Sequence, residues 1–210
     1  MPRICLAVLL FWLCGPAWAL LPANLDSADL RLSLGSSMAY LEDPRGELNV
    51  EQVGALADER FTPVLGEHAN LGKNDSVWWF KVRLNNSLAQ NLAGYLEVNY
   101  PLLDHLQVFL TSADGQWQMQ ESGDRYAFSQ RPVQVRNFWF PLELPPGEST
   151  LLIRVKTTST IFMPLFFSTY QASAAAQENL MGFNGAFYGV LFAMFCYNLF
   201  LFASLREPAY

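Results

Sequence analysis

Hydrophobic and polar positions divide the chain into stretches of different character. Residues 180–205 are apolar all round and contain no Asp, Glu, Lys, Arg or His. As a helix rising 1.5 Å per residue, that stretch measures roughly 39 Å, enough to cross a hydrocarbon core of about 30 Å with some tilt. Residues 4–13 form a shorter apolar run, preceded by Arg3 and followed by Gly15, Pro16 and the small-x-small triplet Ala17-Trp18-Ala19. A spanning helix needs about 20 apolar residues, so this run reads as a leader rather than an anchor. Residues 1–19 are therefore expected to be a signal peptide cut before Leu20. Cys14 follows Leu13, where a lipidation signal carries a small residue, which argues against a lipoprotein.

Between these runs the dominant period is two. Leu30, Leu32 and Leu34 alternate as a candidate edge strand, and residues 38–41 form a short strand closed by the turn cluster Glu42-Asp43-Pro44-Arg45-Gly46. Residues 77–84 are rich in aromatic and branched side chains, and Tyr95, Leu96 and Val98 begin a further strand. Leu106, Val108 and Leu110 alternate within 105–111. Asp114-Gly115 is a hairpin signal, after which 117–122 return antiparallel. Val133, Val135 and residues 138–140 predict one more strand. The turn Pro145-Pro146-Gly147 precedes the alternation Leu151, Ile153, Val155, and 165–169 supply the last strand. One stretch has helical spacing: Val50, Val53, Leu56 and Ala57 follow Asn49, with Gln52 placed to complete a capping box. The pattern predicts a mainly β protein, an antiparallel jelly-roll β-sandwich with one short helix over residues 20–170. An Ala-rich connector at 171–179, a transmembrane α-helix at 180–205 and the start of a cytoplasmic loop at 206–210 follow.

Charge and cysteines narrow the setting. The chain carries 13 basic and 19 acidic residues, a formal charge of −6, and loss of Arg3 with the leader makes it one unit more negative. An acidic surface argues against nucleic acid as a partner and against adhesion to anionic lipid through basic patches. Cys5 and Cys14 lie in the leader and Cys196 in the span, so the expected exported part holds no disulfide. A region of about 150 residues builds its own core without staples.

Catalytic signatures are sparse. His68 and His105 have no metal-ligand spacing, and neither a nucleophile-elbow motif nor a Walker loop occurs. No metal or cofactor is expected. Asp43 sits in a turn without the ligand spacing of a calcium loop. Glu97, Asp104, Glu121 and Asp124 are the carboxylates that would have to pair for glycoside hydrolysis. The aromatics say more. Trp78 and Trp79, like Phe138 and Trp139, are adjacent and so face opposite sides of a strand. One of each pair belongs to the core, and the other needs an edge, a partner or a ligand. Trp79, Trp117, Tyr126 and Trp139, with Arg131 and Arg136 and with Asp104 beside His105, are the ligand-binding candidates, suited to a sugar ring or an acidic molecule. In the span, Gly182, Gly185, Gly189 and Ala193 recur every three or four residues and Asn198 adds a buried amide. That face suits packing against further transmembrane helices or a second copy.

Short landmarks in order carry a family resemblance: Tyr40-Leu41-Glu42-Asp43, Phe61-Thr62-Pro63, Asn70-Leu71-Gly72 and the run from Trp79 to Asn86. They continue with Tyr100-Pro101-Leu102-Leu103-Asp104, Gly123-Asp124, Phe128, Arg131, Pro146-Gly147, Ile153-Arg154-Val155, Tyr197-Asn198-Leu199 and Tyr210. The chain resembles bacterial seven-transmembrane receptors with diverse intracellular signalling modules (DISM), over the type 2 periplasmic sensor domain and first transmembrane helix. Lys81 stands where that pattern carries Arg, so a bidentate contact is not expected there. The resemblance implies a jelly roll similar to carbohydrate-binding modules, in the periplasm at the bacterial inner membrane, sensing a carbohydrate or other small molecule. It implies a signal passed through a helix bundle to a histidine kinase or diguanylate cyclase output beyond these residues, which are not expected to be an enzyme themselves. On that reading the chain is the N-terminal part of such a receptor or a truncated relative. The alternatives are a membrane-tethered module binding a periplasmic protein and, third, a tethered glycan hydrolase.

Overall fold

The computed structural model describes residues 20–111 and 115–205, so the expected leader, the hairpin residue Asp114 and residues 206–210 lie outside the described residues. Thirteen strands and two α-helices are described. A seven-stranded sheet contains β1 (Ala23–Leu25), β3 (Met38–Asp43), β4 (Thr62–Pro63), β6 (Val77–Asn86), β8 (His105–Thr111), β9 (Trp117–Ser122) and β11 (Gly147–Lys156). Its order is β4-β3-β6-β11-β8-β9, with β1 parallel to the end of β6 and every other pair antiparallel. A four-stranded antiparallel sheet, β10-β7-β13-β2, is built from β10 (Phe138–Leu144), β7 (Leu92–Val98), β13 (Leu165–Thr169) and β2 (Arg31–Ser33). β5 (Ala69–Lys73) and β12 (Thr160–Met163) form a separate ribbon.

Alternate residues of the two sheets meet in one core. Phe80, Val82, Val108, Leu151 and Ile153 from the larger sheet pack with Leu96, Val98, Phe138, Phe140, Leu165 and Phe167 from the smaller. The fold is the expected β-sandwich with one short helix, followed by a long apolar helix. The short helix, α1 (Val50–Gly54), has the capping box read from the sequence: Asn49 Oδ1 accepts from the Gln52 N–H at 2.8 Å, and Gln52 Oε1 accepts from the Asn49 N–H at 3.0 Å.

A second core changes the reading of the aromatic pairs. The excursion through α1 folds back over the outer face of the larger sheet. There Val53 and Phe61 pack with Val77, Trp79, Phe109 and Leu152, and Leu20, Leu56 and Trp117 close the edges. β6 is thus covered on both faces, so Trp78 and Trp79 are both buried and neither needs an edge or a ligand. Asp43 has a local task too: its carboxylate accepts the N–H groups of Gly46, Glu47 and Leu48, holding the turn that launches the excursion.

The strand expected to begin at Val133 begins at Phe138 instead. Arg131 Nη1 donates to the carbonyls of Val135 and Arg136 at 2.9 Å each, and the Val135 N–H donates to Val133 O, which coils 131–136 into a loop. β1, β4, β5 and β12 had no sequence signal; they are two to five residues long and carry Pro63, Gly72 and Asn residues usually read as turns.

β13 passes straight into α2 (Tyr170–Leu205), so the connector and the apolar stretch are one helix. Thr169 Oγ1 accepts the Ala172 N–H at 3.4 Å as an N-cap would, and also the Leu30 N–H at 3.2 Å. The Tyr170 ring lies 4.6 Å from Tyr95, and Tyr95 lies 5.1 Å from Trp139. Over Tyr170–Ser204 this is the one helix among the described residues long and apolar enough to cross a membrane.

Candidate functional site

The ends of three neighbouring strands, β11, β8 and β9, frame a cleft of about 540 Å³ lined by Asp75, Asp104, His105, Arg125, Lys156, Thr157 and Thr158. Register brings two lining residues together: Lys156 at the end of β11 stands opposite His105 at the start of β8. Behind them, Asp124 and Arg125 follow Ser122, the last residue of β9. Gly123 makes this arrangement possible. Its φ is +154°, and a Cβ there would lie 2.0 Å from the Asp104 carbonyl oxygen, so no side chain fits. The Asp124 N–H donates to Leu103 O at 2.8 Å. Two landmarks separated in sequence, Leu103-Asp104 and Gly123-Asp124, are therefore stitched backbone to backbone.

Asp104 is the anchor. Its side chain is 8% exposed, and Oδ2 accepts from the Thr158 N–H at 2.9 Å and the Thr158 hydroxyl at 2.8 Å, with Arg125 Nε at 3.8 Å. Burial by itself would raise its pKa, but the Thr158 bonds, Arg125 and a hydrogen bond from Asp124 together hold it below the ordinary carboxylate value. Asp124 moves the other way, raised by burial, by the Asp104 charge and by donating that hydrogen bond, against the opposing pull of Arg125 and His105. The two carboxyls titrate as a unit in which Asp124 keeps its proton longer. Tyr126 completes the rim with its ring 5.7 Å edge-on from His105. Burial and its hydrogen bond to Glu121 raise the phenol above its usual value.

Of the residues singled out from the sequence, the cleft gathers Asp104, His105 and, at its margin, Tyr126. The others lie apart. Trp79 is 1% exposed and stacks on Phe109 at 5.8 Å, while Trp117 packs against Gly54 under α1. Trp139 is on the outer face of the smaller sheet beside Tyr95. Arg131 lies over the Phe138 and Phe128 rings at 4.7 and 5.1 Å and is spent on the loop, and Arg136 is exposed beyond it. Gly182, Gly185, Gly189, Ala193 and Asn198 are on the exposed surface of α2. Sequence reading missed Arg125, Lys156, Thr158 and Asp75. Arg125 adjoins the Gly123-Asp124 turn and Thr157-Thr158 directly follows a strand; those positions were the available signal.

Two of the carboxylates weighed for hydrolysis, Asp104 and Asp124, lack the acid–base spacing, and Glu97 lies elsewhere. Asp104 and Asp124 are in hydrogen-bond contact, closer than the roughly 5–10 Å separation that glycoside hydrolysis uses. Glu97 is buried on the other sheet, paired to Arg31 at 3.0 Å. What the cleft presents is charged side chains, two threonine side chains and an aromatic edge at its margin, which fits holding a small polar molecule. Among the described residues no group of three or more His, Cys, Asp or Glu gathers as metal ligands.

Comparison with known proteins places these observations. The model of the family described as 7TMR-DISM extracellular 2 matches residues 35–169. No curated protein matches the chain. Among solved structures it is similar to an exo-β-1,3-galactanase from Phanerochaete chrysosporium, at 12% identity and a TM-score of 0.26, over 49% of this chain and 26% of that one. It is likewise similar to a carbohydrate-binding module of the β-sandwich superfamily, at 9% identity and a TM-score of 0.25, over 49% of this chain and 50% of that one. The chain thus spans half or less of the solved chains it matches.

Proposed function

We propose, for a chain that belongs to the 7TMR-DISM extracellular 2 family of extracellular sensor domains, that it binds a small polar ligand in the Asp104 cleft and passes occupancy to a membrane helix. The ligand is a carbohydrate or another small molecule rich in hydrogen-bonding groups. The domain faces the periplasm, and α2 anchors it in the bacterial inner membrane, with the Gly182, Gly185, Gly189 and Ala193 face packing on further helices or a second copy. In a complete receptor, the output is a histidine kinase or diguanylate cyclase beyond these residues.

One observation carries the reading. Thr158, which binds the Asp104 carboxylate, opens the run of chain that continues through β12 and β13 and becomes α2 at Tyr170. The strand-to-helix junction has no loop to absorb movement, and it is clamped by Thr169 and by the Tyr95–Tyr170 contact. A ligand that binds better when the Thr158 segment is displaced shifts that junction; a ligand indifferent to it shifts nothing.

The test uses the whole chain in lipid nanodiscs. Neutral sugars, acidic sugars and amino acids are titrated by calorimetry against wild type and Lys156→Ala. Binding by one class, weakened about tenfold or more by loss of the Lys156 ammonium, is the expected result. Binding unaffected by Lys156→Ala, or no binding by any class alongside tight capture of a periplasmic protein, overturns it.

A further inference from the structure

Another charged centre lies where the excursion after α1 covers β6, and it involves the first described residue. Asp58 stands on the excursion between α1 and β4, its side chain 9% exposed. Oδ1 pairs with Lys81 Nζ at 2.9 Å and Oδ2 with Arg83 Nη2 at 2.9 Å. Lys81 is turned inward, donating also to Leu56 O at 3.3 Å and lying 5.0 Å over the Phe61 ring. Arg83 is 36% exposed, so water answers much of its charge. The backbone nitrogen of Leu20 reaches Asp58 Oδ2 at 3.3 Å.

That nitrogen is held there by more than one contact. The Leu20 side chain packs against the second core, and three residues later β1 pairs with Leu84, Asn85 and Asn86 at the end of β6. A shallow hollow of about 110 Å³ between Leu20, Ser36, Met38 and Phe61 leaves room beside the nitrogen for water. Asp58 is also an acceptor in need of donors: burial pushes its pKa up, and the Lys81 bond and charge, the Leu20 N–H and Arg83 bring it below the ordinary value.

The leader expected from the sequence ends one residue before this nitrogen. Hydrolysis of the Ala19–Leu20 amide adds water across the C–N bond. Ala19 leaves as a carboxylate, and the Leu20 nitrogen keeps the bonding electron pair and is protonated to an α-ammonium. We propose that Asp58 is the docking site for that α-ammonium, so that leader removal converts a neutral amide contact into a charge-assisted bond and fastens the new N-terminus to the sheet. Uncut, the same position offers Asp58 one amide hydrogen; cut, it offers a cation with three donors. The carboxylate thereby reads the processing state of the chain.

The experiment uses the full chain, exported with its own leader and purified in detergent. Its first residue is expected to be Leu20. An α-amine-selective aldehyde at neutral pH should modify this N-terminus about tenfold more slowly in the native chain than after unfolding in urea, the size of effect expected for a hydrogen bond to a charged partner. Insertion of one Gly between Ala19 and Leu20 keeps the leader and its cut but moves the ammonium one residue outward. That variant should melt at a lower temperature and label at the unfolded rate. Asp58→Asn should abolish the difference between the two forms; if this variant does not fold, the insertion and labelling results decide. An N-terminus elsewhere than at Leu20, or equal labelling rates in native and insertion chains, overturns the proposal.

Discussion

Asp58 and Asp104 are both nearly buried carboxylates with lowered pKa, one paired with Lys81 and Arg83 of β6 and the other at the strand ends that frame the cleft. Their surroundings differ. Asp58 is enclosed by Lys81, Arg83 and the Leu20 nitrogen beside a hydrophobic cluster, so its charge is answered by the chain itself. Asp104 is held by Thr158 and by a hydrogen bond from Asp124, while Arg125, Lys156 and His105 line a cleft that is open to solvent. A closed carboxylate fixes structure; one whose partners are half turned to solvent can exchange a partner for a ligand. Burial and a lowered pKa therefore do not by themselves mark a binding site, and the direction in which the partners open does.

Substitutions on the closed side should cost the most stability and leave the cleft intact. Trp79→Ala removes a ring stacked on Phe109 within the second core and should lower stability by about 3–5 kcal/mol, measured by urea denaturation followed by circular dichroism. Asp58→Leu strands the buried Lys81 ammonium and should cost about 3 kcal/mol in the same measurement. On the open side, Asp104→Asn keeps the shape and much of the Thr158 bonding, so a loss of about 1–2 kcal/mol is expected. A larger loss for Asp104→Asn than for Asp58→Leu would reverse the comparison.

Acid separates the same two sites. Both Asp58 and Asp104 have folded pKa values below the unfolded value of about 3.9, so their stabilisation is full above that value and is lost as pH falls through the folded ones. Asp124, raised, has the opposite sign: it opposes folding once ionised and ceases to do so when protonated. Melting temperatures between pH 6 and pH 2 should thus fall less steeply in Asp104→Asn than in wild type, and more steeply in Asp124→Asn. Parallel curves for all three proteins would show that this pair does not govern acid unfolding.

The difference between the two sides also explains what was legible in the sequence. Composition and turn signals marked β3, β6, β9 and β13, while alternation located β2, β8 and β11, because one face of each of these three meets the main core and period two records that. It failed at Trp79, since a strand covered on both faces loses its alternation and nothing local announces that a distant excursion will fold over it. The cleft was half legible: Asp104 and His105 stand together in the chain, whereas Arg125, Lys156 and Thr158 arrive from two other strand ends through register. Lys81 was marked as a departure from the family pattern, and the structure gives it a single-point contact to Asp58 Oδ1, which an ammonium can make as well as a guanidinium.

The smallest effect tests the most local inference. α1 is five residues long, too short to persist without its cap and its packing. Asn49→Ala removes the acceptor for the Gln52 N–H and leaves the box half formed, at a cost of about 1 kcal/mol. Because α1 carries Val53 into the second core and Gly54 against Trp117, the loss should appear as faster hydrogen exchange in residues 44–61 and leave the amides of β8 and β11 near the cleft protected. If β8 and β11 lose protection together with 44–61, the two regions open as one unit, and the independence drawn between the closed and open carboxylates is wrong.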